Sequence, residues 1–347
     1  MDPRSLSVRL DNPAGALDRL SERSGVAFPA LSAAAVRTAE GLPVVARRIA
    51  SLEPPRGTSV VLFGSWARAE VTERSDDDWA IVVTSETIAD ATADELRGRV
   101  ARELGQGDAK PGATEIFESF FRASALTDHT GLEEDSNKNL TRRMLMLLES
   151  VPVSGAGEHA ACWDAVLHCY LARQSKDRRP PRFLLNDLVR YWRTMCVDFE
   201  GKSLRSPDDR KWVTRNAKLR VSRKVLFAAG LIPVLCCSGV PLVEQQQFLS
   251  EQLRARPVDR LAQAFMQLDG GKSIDAGVRA LTAYDEFVGL LAQSSVREEL
   301  LSLTATTRDS SATWASIHSI AEQLQSSLLS LMFGPDLAAL TQEYGIF

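Results

Sequence analysis

An α+β fold is predicted, with a small mixed sheet flanked by helices and then an all-helical region. Three observations predict it. Residues 59–63 and 79–84 are short apolar runs of strand length, separated by a turn-rich segment that begins Gly64-Ser65. From about residue 158 onward the apolar residues recur with helical spacing, punctuated by Pro180-Pro181, Asp208-Asp209 and Gly230. At 347 residues the chain is long enough for two domains, each with a core of its own. The expected division is 1–150 for the mixed part and 151–347 for the helical part.

In chain order, residues 28–52 are rich in Ala, Arg and Leu and read as a helix stopped by Pro54-Pro55. The strand 59–63 follows. Residues 66–70, Trp-Ala-Arg-Ala-Glu, form a helical turn whose N-terminus is expected to point at a phosphate. After the strand 79–84 comes an amphipathic helix over 85–104, stopped by Gly105 and Gly107. The segment 114–121, TEIFESFF, admits two readings: a third strand, or an irregular stretch leading into a short helix. A helix covers 139–150, and the linker-like run 151–157, Val-Pro-Val-Ser-Gly-Ala-Gly, sets the domain boundary.

Beyond it, Pro180-Pro181 opens a helix through RFLLNDLVRYWRTMCVDFE, since proline is tolerated in a first helical turn. Asp208-Asp209 opens a second, through RKWVTRNAKLRVSRKVLFAAG to Gly230. Amphipathic helices are expected over 240–267, 276–294 and 312–331, with a terminal one near 336–343.

A net charge of −4 argues against indiscriminate binding to nucleic acid through the whole surface, so a polyanion site must be a local basic patch. The five cysteines, Cys162, Cys169, Cys196, Cys236 and Cys237, follow no disulfide framework and read as reduced core thiols of a cytoplasmic protein. The N-terminus, MDPRSLSVRLDNPAG, lacks the apolar stretch of a signal peptide. The longest apolar run, 225–237, is interrupted by Gly230 and Pro233 and is too short to cross a bilayer, so no membrane insertion is expected. His159, Cys162, His168, Cys169, Cys236 and Cys237 offer vicinal pairs, which chelate poorly, and no Cys-x2-Cys; a zinc site is not expected.

The chemistry concentrates in residues 61–78, VLFGSWARAEVTERSDDD. Alternate residues of an extended chain face the same way, so Asp76 and Asp78 point together while Asp77 points away. Two hard oxygen ligands suit Mg²⁺, which takes carboxylates together with substrate phosphates. Gly64 permits the close approach that lets backbone N–H groups and the Ser65 hydroxyl meet a phosphate.

Gly64-Ser65 followed by Asp76-Asp77-Asp78, between two strands, resembles the signature of the DNA polymerase β-like nucleotidyltransferase superfamily. The resemblance implies Mg²⁺ (Mn²⁺ as a substitute), a ribo- or deoxyribonucleoside triphosphate substrate, and transfer of its nucleoside monophosphate to a hydroxyl. In such enzymes a third carboxylate often joins the first two from a neighbouring strand. Asp135 is carried here as that acid, beside Glu115 and Glu118. The two glutamates are three residues apart, so at most one faces the site from a strand. Asp135 precedes the helix at 139, where acidic residues also suit a helix start.

Cations for the triphosphate are expected from 205–224, which holds eight Lys or Arg against two Asp. Lys211, Arg215, Lys218 and Ser222 fall on one stripe of a helix there. A solvated basic face is the other reading of such a run. Of Arg142 and Arg143, which diverge on their helix, at most one need face the cleft and an ion pair is the commoner fate. Asn186 and Asp187 suit either a base contact or a helix–helix hydrogen bond. Tyr191, Trp192 and Trp212 suit either base stacking or the core.

The runs RFLLNDLVRYWRTMCVDFEGK and WVTRNAKLRVSRKVLFAAGLIP resemble bacterial nucleotidyltransferase-like proteins with a helical second domain, so that the resemblance spans most of 55–235. Members of anti-phage systems are among these, the enzyme of Hailong-type defence included. That similarity implies template-independent synthesis of a short single-stranded DNA oligomer as a signal, with an effector protein as partner. Tyr344, in the terminal QEYGIF, is a candidate acceptor hydroxyl if the end of the chain is mobile; an aromatic that packs the last helix is the alternative.

Overall fold

The computed structural model describes residues 9–73, 75–104, 116–205 and 211–346. Helix α1 (Ala16–Ser24) is bounded by the left-handed glycines Gly15 and Gly25, and α2 (Pro29–Ala50) starts on a proline, whose missing N–H costs nothing in a first turn. Then come β1 (Thr58–Phe63), the single turn α3 (Ser65–Arg68), β2 (Trp79–Val83), α4 (Asp90–Glu103), β3 (Ser119–Arg122), α5 (Asn137–Leu148), β4 (Ser150–Pro152) and α6 (Ala156–Leu171). Helices α7 (Arg182–Arg205), α8 (Trp212–Arg220), α9 (Ser222–Leu235), α10 (Leu242–Leu253), α11 (Pro257–Gln267), α12 (Ile274–Ala292), α13 (Ser294–Ser302) and α14 (Ala312–Met332) follow. The fold is α+β: a four-stranded mixed sheet among helices, then a mostly helical C-terminal region. Among the described residues no helix is long and apolar enough to cross a membrane.

The sheet order is β3-β2-β1-β4. β1 runs antiparallel to β2, with Leu62 opposite Trp79, and antiparallel to β4, with Phe63 opposite Ser150. β3 runs parallel to β2, with Ala80 opposite Ser119. On one face Val60, Leu62, Trp79, Ile81 and Val83 pack with Val45 and Ile49 of α2 and with Leu96 and Val100 of α4. Each such fully buried apolar side chain contributes about 1.5–3 kcal/mol. This packing pins the register of β2, because a slip of one residue would turn Trp79 and Ile81 out of the core.

The chain divides into two compact units, residues 33–173 and residues 1–32 together with 174–347. The division therefore lies beyond residue 150: β4 pairs with β1, and α6 packs on β1 and β2. Within the other unit, α1 packs on α11, where Asp259 Oδ1 accepts the Leu17 N–H at 3.0 Å.

Several elements differ from the sequence expectation. The third strand is shorter and later than 114–121, with Thr114 and Glu115 outside the described residues. β4 occupies the segment read as a linker; it is three residues long and ends on Pro152, which an edge strand tolerates. The helix expected over 240–267 is two, because Pro257 opens α11. The long basic helix is likewise two, broken at Val221, whose φ of −116° and ψ of −82° are not helical.

Candidate functional site

β1 is followed by Gly64, whose φ of 62° and ψ of −131° lie where side chains are strongly disfavoured. The chain then enters α3, closed by the Arg68 N–H to Gly64 O (3.0 Å) and the Glu70 N–H to Ser65 O (2.8 Å). Arg68 secures this turn. Its Nε donates to Glu70 at 2.6 Å and its Nη1 to Glu149, both carboxylates being buried. Glu149 directly precedes β4, so the guanidinium stitches the turn to the sheet edge.

The acidic segment arrives from the other neighbour of β1. The Phe63 N–H donates to Asp78 O at 2.8 Å, which extends the β1–β2 ladder by one residue. Because Trp79 and Ile81 face the core cluster, alternation turns the Asp78 side chain to the opposite face. There it meets Gly64: a Cβ on residue 64 would stand 3.0 Å from Asp78 Oδ2 and 3.9 Å from Arg68 Nη1. Asp77 lies on the core side, where Trp66 Nε1 donates to its Oδ1 at 2.7 Å. Burial pushes the Asp77 carboxyl above its ordinary value, against the Trp66 hydrogen bond and the Arg48 charge, which pull it down. Asp76 is exposed and Asp78 half-buried.

Of the three candidates for a further acid, Glu115 lies outside the described residues. Glu118 stands just ahead of β3, at a φ of 56°, with its N–H on Trp79 O at 2.7 Å; it is thus at the same end of the sheet as Asp78. Asp135 has another employment. Its two oxygens accept from Arg143 Nη1 (2.8 Å) and Nη2 (2.7 Å), Oδ2 also accepts the Gly131 N–H at 3.0 Å, and both side chains of the pair are buried. Arg143 also reaches Tyr170 at 2.9 Å. Arg142, buried, donates to Ser119 Oγ at 3.0 Å and lies 4.6 Å from the Phe121 ring centroid.

Among the described residues no group of three or more His, Cys, Asp or Glu could hold a metal ion. Mg²⁺ does not require one, since it is commonly held by one or two carboxylates, the rest of its shell coming from water and phosphate. Exposed Asp76 and half-buried Asp78 fit that demand as an all-oxygen pair. His159 Nε2 bonds Ser150 Oγ at 2.8 Å, and burial lifts Cys162 to about 12 and Cys236 and Cys237 well upward. All five cysteines are free.

In the helical unit, Lys211 precedes α8, Arg215 and Lys218 lie on it, and Ser222 opens α9. The break at Val221 makes the expected single stripe two segments, though Ser222 Oγ still donates to Lys218 O at 3.2 Å. Burial lowers the Arg215 guanidinium from its ordinary value, opposed by Asp198. Of the aromatics, Tyr191 is buried, half-buried Trp192 stacks on Phe227 at 5.2 Å, and half-buried Trp212 has the Phe199 ring at 5.5 Å and the Arg308 guanidinium at 4.6 Å. Asp187 is buried, 3.9 Å from Arg190. Tyr344 is not on a loose end. It is 7% exposed, accepts from Arg179 Nη1 at 2.8 Å, and carries Arg182 over its ring at 5.2 Å.

The structure thus brings together Gly64, Ser65 and Asp78, and it adds Trp66, Arg68 and Glu149, which spacing does not reveal. Compared with known proteins, the chain matches no family model and no curated protein.

Proposed function

We propose that the chain is a metal-dependent nucleotidyltransferase that moves a nucleoside monophosphate from a ribo- or deoxyribonucleoside triphosphate to a hydroxyl, with release of pyrophosphate. The approach of the Asp78 carboxylate to the bare backbone of Gly64 carries this reading. A phosphate resting on the Gly64-Ser65 turn would lie beside a carboxylate, an arrangement that only an intervening cation makes favourable. Asp76 and Asp78 would hold Mg²⁺ or Mn²⁺. Bound there, the ion neutralises phosphate charge and lowers the pKa of the attacking hydroxyl. The chain's own part is positioning: the turn orients the phosphate, and Arg68, through Glu149, keeps the turn in place. The new bond forms from the acceptor oxygen to the α-phosphorus as the bond to pyrophosphate breaks.

The resemblance to bacterial defence enzymes favours a short DNA oligomer made without a template as the product, and an effector protein as its reader. Nucleotidylation of a small molecule or of a partner protein uses the same chemistry. A silent nucleotide-binding module is the second reading, favoured by the commitment of Asp135 to Arg143.

Labelled NTPs and dNTPs incubated with Mg²⁺ or Mn²⁺ and resolved by length separate these. A ladder supports polymerisation, and single additions support a modifying enzyme. Absence of pyrophosphate with every nucleotide removes the enzyme reading, and release that survives Asp76→Ala with Asp78→Ala removes these two acids from the site.

A further inference from the structure

We infer that Trp66 is a positioning residue that ties the Gly64-Ser65 turn to the acidic segment, holding Asp77 on the core side of the sheet and thereby presenting Asp76 and Asp78 on the other. The inference rests on the nucleotidyltransferase reading for what those two carboxylates do, and names what sets their placement.

The described residues between α3 and β2 form neither helix nor strand, so no ladder orients them before Asp78. At the far end the segment is fastened by the Val71 N–H to Thr38 Oγ1 (3.1 Å) and the Thr72 N–H to Ser75 Oγ (2.9 Å). At the near end it is fastened by Phe63 to Asp78 O at 2.8 Å. Three consecutive carboxylates lie between, and mutual repulsion would splay them. The 2.7 Å bond from Trp66 Nε1 to Asp77 Oδ1 draws the middle one to the core side.

Trp66 is itself held firmly. A Cβ on Gly41 would stand 3.0 Å from both Cζ3 and Cη2 of the indole, so the ring lies on bare helix backbone of α2. It packs against the core cluster beside Leu42 and Ala46. An indole fixed on its apolar side has one polar group left, and a half-buried N–H requires an acceptor. Trp66 also belongs to α3, the turn that Gly64-Ser65 opens. One side chain therefore couples the phosphate-receiving turn to the metal-holding segment.

The test compares wild type with Trp66→Phe, Asp77→Leu and Asp77→Asn by Mn²⁺ binding, pyrophosphate release and hydrogen exchange of residues 71–78. Phenylalanine keeps the apolar contact and removes the donor; leucine removes the acceptor; asparagine keeps an acceptor oxygen. Trp66→Phe and Asp77→Leu are expected to weaken Mn²⁺ binding roughly ten- to a hundredfold and to speed exchange in the segment, as loss of a supporting shell does. Asp77→Asn is expected to bind Mn²⁺ within a few-fold of wild type. A purely structural tryptophan would lower the melting temperature and leave Mn²⁺ affinity unchanged; that result, or unchanged exchange in Trp66→Phe, overturns the inference. If wild type itself neither binds Mn²⁺ nor releases pyrophosphate, the reading of the site falls and takes the inference with it. If wild type does both and Trp66→Phe equals it, the inference alone falls.

Discussion

Asp78 Oδ2 lies where a side chain on residue 64 would have to go: a Cβ there would stand 3.0 Å from it, at a φ of 62°. Gly64→Ala therefore meets two penalties, backbone strain and a contact that pushes the carboxylate away. The expected cost is about 1–3 kcal/mol of stability, and pyrophosphate release should fall at least roughly tenfold, as misplacement of a positioned group does. Gly25→Ala is the matched control. Its φ is 70° but no atom lies within 4 Å of the added Cβ, so it should show the strain without loss of activity. Denaturant melts and a pyrophosphate assay on both variants check this.

The buried Asp135–Arg143 pair makes an opposite pair of expectations. With both side chains out of solvent, Asp135→Asn leaves a guanidinium uncompensated and is expected to cost about 3–5 kcal/mol. A catalytic acid would instead keep its melting temperature and lose turnover. Replacing both members, Asp135→Leu with Arg143→Met, is expected to recover much of the loss. Thermal melts of the two variants decide between a loop anchor and a catalytic role.

What could be read in the sequence, and what could not, follows from the range of the contacts. β1 and β2 are apolar runs of strand length and were legible as strands, and the alternation of an extended chain sets Asp77 apart from Asp78; which side is the core was not legible, because both runs are buried at every position. Nor was the placement of Arg68, because its partner Glu149 is 81 residues away and nothing local marks the pair. Trp66 and Asp77 are 11 residues apart, but the segment between them follows no regular period that would orient one to the other. Tyr344 looked like part of a free end, yet Arg179, 165 residues earlier, claims its hydroxyl. β4 offered three residues and a proline, too little for any pattern.

Glu299 should make the helical unit sensitive to acid. Ser311 Oγ and Thr313 Oγ1 both donate to it at 2.6 Å, and Ser311 also caps α14 by accepting the Trp314 N–H at 3.0 Å. The Ser311 bond, then the Thr313 bond, hold the carboxyl below its ordinary 4.5. A carboxyl depressed in the folded state contributes stability that is fully present above 4.5 and is lost as pH falls through the folded value. Glu299→Gln should therefore melt below wild type at neutral pH, with the gap closing well under pH 4.5. A gap that stays constant across that range would show that the charge of Glu299 is immaterial.

Gly277 sets two preferences against each other within the helical unit. Alanine is the better helix former by about 0.8–1 kcal/mol, so propensity alone predicts that Gly277→Ala stabilises α12. Packing predicts the reverse: the new Cβ would stand 2.5 Å from Phe265 Cβ and 2.7 Å from its Cγ. Phe265 is fully buried on α11, and its Cβ moves only with its backbone. Overpacking of this kind costs about 1–3 kcal/mol, so destabilisation is expected to win. Phe265→Leu should fail to restore stability, because it trims the ring and leaves the nearest atom where it was. Urea denaturation of the single and double variants checks the sign, and a Gly277→Ala protein more stable than wild type would mean that α11 and α12 can separate without loss.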